Sequence, residues 1–167
     1  HPNLEVATLG VTRKGRNIVR LHVGNVEGNP KYRVLLTARH HACEMMANYL
    51  IEGAIESILA NGEQGAWLRK NVEFMIVPFV DKDGVEDGDQ GKYRRARDHN
   101  RDYSDESIYA STRAIRSYVP VWSDEKLVVM LDLHCPYIAG KDHEQIHLVG
   151  LSSPTIAKQQ EKFSAIL

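Results

Sequence analysis

The sequence Y-R-V-L-L-T-A-R-H-H-A-C-E-M-M-A-N-Y-L, residues 32–50, joins a strand to a helix and decides the fold. Its first part, residues 34–37, is an apolar run of strand length that contains β-branched side chains. Its second part, residues 44–50, contains strong helix formers with apolar side chains at helical spacing. The polar sequence R-H-H lies between the two parts. This change of period predicts a β-strand followed directly by an α-helix.

His41 and Glu44 lie three residues apart where the predicted helix begins. A helical turn places residues at this spacing on one face, so the imidazole and the carboxylate could bind the same ion. These ligands suit zinc, and catalytic zinc commonly takes three protein ligands and one water. The alternative for an isolated H-x-x-E is a solvated histidine and glutamate at a helix start, and the rest of the chain must decide between the two.

The remaining sequence alternates strand-like and helix-like segments. A turn at residues 13–16 joins the first two strands into a predicted β-hairpin. Strands are predicted at 4–10, 18–24, 33–39, 72–80, 127–133 and about 146–151, and helices at 43–59, 106–119 and from 153 onward. The alternation predicts an α/β fold with a mixed, largely parallel sheet flanked by helices, and the length predicts a single domain over residues 1–167.

The composition is that of an ordinary globular protein. Apolar residues make up 43% of the chain and charged residues 26%. A formal net charge of -1 gives no reason to expect nucleic acid or an anionic membrane as a partner. No apolar run approaches the length of a transmembrane helix, so we expect no transmembrane segment.

A further histidine, His134, follows the predicted core strand 127–133. Ligand sites of open α/β sheets form beyond the carboxyl ends of the strands, which is also where His41 and Glu44 lie. The three residues make a His-Glu-His set that leaves a fourth position of one zinc ion for water. Asp132 alternates onto the same face as His134, either to orient that histidine or as a buried structural carboxylate.

The polar loop 81–105 is long for a compact domain, and loops of this length are usually functional or disordered. It is rich in arginine, with Arg94, Arg95, Arg97 and Arg101. Arginines near a metal suit an anionic substrate group, because guanidinium binds a carboxylate in a bidentate way. A charge-rich loop that is only solvated is the alternative.

The order of these motifs resembles that of the carboxypeptidase A-like zinc metallocarboxypeptidases. A-R-H-H-A-C-E, D-G-V-E-D-G, H-N-R-D-Y and L-D-L-H follow one another as the family's H-x-x-E, Asp-Gly loop, Asn-Arg pair and second histidine do. The resemblance covers most of the chain. It implies a zinc-dependent hydrolase that removes the C-terminal residue of a peptide, or acts on a small amide, whose substrate carries a free carboxylate.

The resemblance also implies a role for each residue of the motifs. One zinc ion would bind His41, Glu44 and His134. Asn100 and Arg101 would hold the terminal carboxylate of the substrate. An arginine upstream of them would polarise the scissile carbonyl, and of Arg94 and Arg95 we favour Arg94.

Two features depart from the family pattern. Ala42-Cys43 stands where the family usually has Pro-Gly. The family's general-base glutamate and substrate-capping tyrosine come well after the second histidine, and neither Glu144 nor Glu161 has the matching setting. We therefore expect the N-terminal portion of a catalytic domain, which binds zinc but does not turn over peptide at ordinary rates.

Three alternatives stay open on the sequence alone. A related deacylase or amidase shares the motifs but cleaves small N-acyl amino acids, and a non-catalytic module could keep the fold and the metal. The third is the H-E-x-x-H sequence at residues 143–147, which binds zinc only on a helix. A strand is predicted there instead, and residues four apart in a strand are about 13 Å distant.

The two cysteines, Cys43 and Cys135, each adjoin a suspected ligand. Two are too few for a disulfide framework, so reduced thiols are expected rather than a disulfide or ligation of zinc by cysteine. The start of the chain has no signal-peptide pattern and resembles a processed boundary. The compartment is therefore unknown from the sequence, with a slight preference for a secreted or periplasmic location over the cytoplasm.

Overall fold

Five strands form one mixed sheet in this protein, whose structure is a computed structural model. They are β1 (Leu4–Val11), β2 (Asn17–Gly24), β3 (Tyr32–Ala38), β4 (Val72–Val77) and β5 (Leu127–Leu133), in the spatial order β1-β2-β4-β3-β5. β2 pairs in antiparallel fashion with β1 and β4, whereas β3 pairs in parallel with β4 and β5. The predicted hairpin and the predicted α/β fold are confirmed, and the parallel part of the sheet is β4-β3-β5.

The structure describes residues 1–136, 139–140, 146–150 and 153–166. Two compact units make up the chain, His1–Cys135 and Pro136–Leu167. The first contains the sheet and every predicted ligand and substrate-binding residue. Among its described residues, the second contains one helix. The assignment of residues 1–167 to a single domain stays a prediction.

Helices flank the sheet in the first unit. They are α1 (Met46–Leu59), α2 (Glu63–Asn71), α3 (Lys82–Asp87) and α4 (Ala110–Ser123), and the second unit contains α5 (Pro154–Ser164). A 3₁₀ turn, His99–Arg101, lies in the loop before α4. Within the described residues, we find no helix with the length and apolar character that crossing a membrane requires.

The core lies on both faces of the sheet. Neighbouring residues of β3 show this, because successive side chains of a strand point to opposite faces. Leu35 packs with Ile115 and Trp122 of α4, whereas Leu36 packs with Ala47 and Ile51 of α1. Parallel strands that are buried on both faces have nearly continuous apolar sequences, and the sequences of β3 and β4 show this pattern.

Helix bounds differ from the predictions in three places, one of which is the start of α4 at Ala110 rather than at residue 106. α1 begins at Met46 rather than at residue 43, because the preceding turn commits its side chains to contacts beyond the strand end. α4 continues through Pro120 to Ser123 rather than ending before the proline. Proline in a helix removes one backbone hydrogen bond, and the burial of Trp122 against the sheet holds this last turn in place.

Two other predictions are changed by the structure. The loop 81–105 is not structureless, because Asp81 caps α3 by accepting a hydrogen bond from the backbone N–H of Gly84 at 2.9 Å. The strand predicted around residues 146–151 is wrong for residues 146–150, which have no regular secondary structure. In the described part of the chain, this short apolar segment pairs with no other strand.

Candidate metal centre

The predicted ligands come together because β3 and β5 are parallel neighbours. Ala38, the last residue of β3, pairs with Leu133, the last residue of β5. The carboxyl ends of parallel strands meet at the same edge of a sheet, which is where ligand sites form in open α/β folds. His41 and His134, 93 positions apart in the sequence, therefore lie with their ring centroids 4.8 Å apart.

The turn after β3 has a left-handed residue at its start. Arg39 has φ of 61°, which side-chain-bearing residues adopt only at a cost in free energy. Its own guanidinium holds the turn, donating hydrogen bonds to the carbonyl oxygen of Ala42 and, at 2.6 Å, to Oδ1 of Asn48. The strained turn thus begins the segment that presents the ligands.

Glu44 lies between two imidazoles. Nδ1 of His41 is 2.8 Å from Oε1 of Glu44, and Nδ1 of His134 is 2.6 Å from Oε2. The candidate ligand atoms of the three residues all lie within 4.8 Å of one another. Zinc binds histidine nitrogen at about 2.0–2.1 Å and carboxylate oxygen at a similar distance, and two histidines with one glutamate are a known catalytic donor set. The residues present therefore fit zinc.

The histidines and carboxylates of this group shift one another's pKa values. Burial would raise the pKa of Glu44, but hydrogen bonds from His134 and His41 outweigh it and lower that pKa. Burial would likewise lower the pKa of His134, but its bonds to Asp132 and Glu44 raise it to about 10. Glu44 and Asp132 therefore favour positive charge in their surroundings, which suits a cation site beside Glu44.

The far nitrogen of each candidate ligand histidine faces an aspartate. Nε2 of His41 lies 3.4 Å from Asp98, and Nε2 of His134 lies 2.7 Å from Oδ2 of Asp132. Histidines that bind metals commonly donate their second N–H to a carboxylate, which fixes the ring orientation. Of the two readings of Asp132 that the sequence left open, the contact supports the orienting one.

Sequence reasoning missed two residues of this centre, Asp98 and His40. Asp98 stands two residues before Asn100, a position that carries no signal without knowledge of where the 3₁₀ turn lies. His40 is only 2% exposed and forms a second cluster of possible ligands with Asp132 and His134. The H-x-x-E motif is already complete with His41 and Glu44, so no sequence pattern indicated a role for His40.

The residues predicted to bind the substrate have different surroundings in the structure. Asn100 lies at the centre, its Nδ2 donating to Oδ2 of Asp132 at 3.0 Å and lying 3.2 Å from Nε2 of His134. Arg101 is exposed on the same 3₁₀ turn. Arg94 forms ion pairs with Asp81 at 2.9 Å and Asp89 at 3.0 Å.

The rival H-E-x-x-H sequence lies partly outside the described residues. His143 and Glu144 lie outside the described residues, and His147 belongs to the segment 146–150, which is not helical. The two cysteines that adjoin the ligands are both free thiols.

Comparisons with known proteins agree with one another. The sequence profile of the zinc carboxypeptidase family matches residues 1–134. A cytosolic carboxypeptidase 3 of Bos taurus is 28% identical over 116 residues, which is 66% of this chain and 11% of that protein. A cytosolic carboxypeptidase 2 of Mus musculus is 30% identical over 150 residues, 83% of this chain and 17% of that protein.

A solved structure shows the same architecture. A metallo-carboxypeptidase from Burkholderia cenocepacia superimposes with a TM-score of 0.72 at 25% identity, covering 97% of this chain and 43% of that chain. This chain thus spans less than half the length of each of these three proteins. The fold, the match over residues 1–134 and the cluster of His41, Glu44 and His134 agree, and the chain belongs to the zinc carboxypeptidase family.

Proposed function

We propose that this chain forms the zinc-binding part of a metallocarboxypeptidase, a hydrolase that removes the C-terminal residue of a peptide. The convergence of His41, Glu44 and His134 at the adjoining ends of β3 and β5 carries this proposal. These three residues would hold one zinc ion. Zinc bound there supplies a Lewis acid that polarises an amide carbonyl and lowers the pKa of a water molecule.

The carboxylates of the centre have a positioning role in this proposal. Asp98 holds the far nitrogen of His41, and Asp132 holds that of His134. Glu44 faces both imidazoles directly. Because each of the three is already engaged by a histidine, we assign none of them as the general base that removes a proton from water.

The substrate's free carboxylate is assigned to Asn100 and Arg101. Both lie on the 3₁₀ turn His99–Arg101, and the amide of Asn100 is fixed beside His134. The guanidinium of Arg101, on the same turn as Asn100, can bind a carboxylate in a bidentate way. Arg94 is assigned to the scissile carbonyl, a role that requires its guanidinium to turn away from Asp81 or Asp89.

The ligand assignment is tested by zinc content. Purified His41→Ala and His134→Ala variants should each lose the single equivalent of zinc that the unchanged chain binds, because three protein ligands leave no spare donor. A His143→Ala variant tests the rival motif and should keep its zinc. Zinc retained by the first two variants and lost by the third would reverse the assignment.

The carboxylate assignment is tested by binding rather than by turnover. The zinc-loaded chain should bind an N-acetylated dipeptide more tightly than the same dipeptide amidated at its C-terminus, measured by calorimetry. Arg101→Ala should remove most of this preference, about tenfold or more, because a hydrogen bond to a charged group contributes roughly 1.5–3 kcal/mol. Arg13→Ala, an exposed arginine in the β1–β2 turn, is the matched control. An equal loss for both dipeptides would give Arg101 another role.

We also propose that the protein works in the cytosol, in place of the secreted or periplasmic location that the sequence slightly favoured. The bovine and mouse relatives are named as cytosolic carboxypeptidases. Cys43 and Cys135 are both free thiols, which agrees with a reducing compartment. Fractionation of cells that produce the protein would test this location.

A further inference from the structure

Asp132 has a full set of partners, and only one of them is a candidate zinc ligand. Its Oδ1 accepts a hydrogen bond from the Thr37 hydroxyl at 2.8 Å and lies 2.7 Å from Nδ1 of His40. Its Oδ2 accepts from Asn100 at 3.0 Å and lies 2.7 Å from Nε2 of His134. An ionised carboxylate offers about four acceptor sites, so these contacts fix its position and its rotation.

His40 continues this network away from the candidate zinc ligands. Its Nε2 lies 2.6 Å from the Tyr103 hydroxyl. Burial raises the pKa of Tyr103, so the phenol keeps its proton and donates a hydrogen bond to Nε2. With Nε2 accepting from Tyr103, the His40 ring carries its N–H at Nδ1, next to Asp132. No described residue accepts a well-aligned hydrogen bond from Nδ1, yet Oδ1 of Asp132 is close enough that a small rotation completes one.

The hydrogen-bond donors of this network therefore converge on Asp132 from two sides. Tyr103 donates to His40, His40 faces Asp132 with its Nδ1 proton, and His134 donates its Nε2 proton to the same carboxylate. Because Nε2 is held by Asp132, the proton that His134 must lose to bind a metal would come from Nδ1, whose lone pair would then lie on the side of Glu44 and His41. The tautomer and the orientation of His134 thus depend on a residue that binds no zinc.

We propose that His40, anchored by Tyr103, is a positioning residue that holds Asp132 so that His134 presents Nδ1 to zinc. This inference rests on the proposed zinc site. It assigns to His40, a buried histidine outside the H-x-x-E motif, a share of the zinc affinity. Partners of this kind typically contribute about 10–100-fold to metal affinity when they act through a ligand.

A second cation held by His40, Asp132 and His134 is the competing reading of the same cluster. It would need the Nε2 lone pair of His134, which must then lose the proton that Asp132 accepts. His134 would also have to bind two cations through its two nitrogens. The hydrogen-bonded arrangement needs neither step, so the structure favours positioning.

The experiment compares two substitutions of His40 in the full 167-residue chain. His40→Phe removes both ring nitrogens, and we expect zinc affinity, measured by competition with a chromophoric chelator, to fall at least about tenfold. His40→Asn keeps an N–H donor close to the position of Nδ1 and should recover most of that loss. Asp132→Asn should weaken zinc binding to a similar degree, and Tyr103→Phe should weaken it less.

A spectroscopic readout separates positioning from folding. The visible absorption of the cobalt-substituted chain reports the geometry around the metal, and it should shift in His40→Phe but return in His40→Asn. His22→Phe is the matched control, because His22 is also buried and its Nδ1 also lies 2.7 Å from a carboxylate, that of Glu73. This control should lower the melting temperature and leave zinc affinity and the cobalt spectrum unchanged.

Four outcomes would overturn the inference. Equal zinc affinity in the unchanged chain and in His40→Phe would remove the role of His40 while leaving the zinc site intact. An equal loss in His22→Phe would show an effect of stability alone. Two zinc ions per chain, reduced to one by His40→Phe, would make the cluster a metal site. Absence of zinc binding by the unchanged chain would overturn the proposed function as well.

Discussion

At the scale of single residues, His99 shows how burial controls protonation next to the centre. Its ring stacks on Tyr109 with centroids 3.7 Å apart, and it is 3% exposed. Burial, followed by the electrostatic effects of the neighbouring His40 and Arg94 side chains, lowers its pKa to about 3. The other charged groups that face it are Asp81, Asp98 and Asp102. Folded protein therefore keeps His99 neutral, whereas the unfolded chain protonates it near its ordinary pKa of about 6.5.

This difference predicts a loss of stability in acid. Between the ordinary pKa and about 3, the unfolded state binds a proton that the folded state does not. The free energy of unfolding should therefore fall as the pH falls through this window, by up to about 1.4 kcal/mol per pH unit. His99→Phe keeps the stacking on Tyr109 and should flatten this part of the profile, measured by urea unfolding at several pH values. A profile equally steep in the variant would contradict this account.

At the scale of elements, Glu73 of β4 links three neighbours. Oε1 accepts from Trp122 of α4 at 2.8 Å and lies 2.7 Å from His22 of β2, and Oε2 accepts from Arg33 of β3 at 2.8 Å. Arg33 also donates to the carbonyl oxygen of Trp122. Burial would raise the pKa of Glu73, but these bonds lower it. One carboxylate thus ties the antiparallel part of the sheet to its parallel part and to α4.

Glu73→Gln should destabilise the first unit strongly. The glutamine keeps the shape but leaves Arg33 and His22 without their anion, and removal of one partner from a buried ion pair costs roughly 3–5 kcal/mol. Because the folded pKa of Glu73 is lowered, its contribution is present above the ordinary glutamate pKa and is lost as the pH falls through the folded value. Urea unfolding near neutral pH measures the effect.

The matched control for Glu73 is an ion pair at the surface. Asp105 pairs with Arg116 at 2.6 Å, but its side chain is fully exposed. Asp105→Asn should change stability little, because solvent screens such pairs. If the two substitutions had equal effects, the buried contacts of Glu73 would not be what stabilises the sheet.

At the scale of the whole molecule, the centre combines ligands from distant parts of the chain. The loop after β3 contains two of the proposed ligands and the end of β5 contains the third, so the parallel pairing of these strands must form before the three donors meet. The solved relative with the same architecture is more than twice as long, since this chain covers 43% of it. The activity of the 167 residues by themselves is thus a separate question from their zinc binding.

We expect the zinc-loaded chain to hydrolyse peptides far more slowly than ordinary enzymes do. A positioned general base typically contributes about 10²–10⁴-fold, and the carboxylates of the centre are all engaged by histidines. A carboxypeptidase assay on homogeneous, metal-loaded protein checks this, with His134→Ala as the blank. Turnover at roughly 1–10³ per second would mean that a general base is present among these residues.

The sequence by itself determined the hairpin, the strands of the parallel part and the motif residues His41, Glu44 and His134. Period and residue type are local properties, so they can be read within a single segment. Only the tertiary structure decided that His40 and Asp98 face the centre, that Asn100 touches Asp132 and that Arg94 pairs with acidic residues. Those contacts depend on which strand ends meet and how the loop before α4 turns back, and no local pattern encodes either.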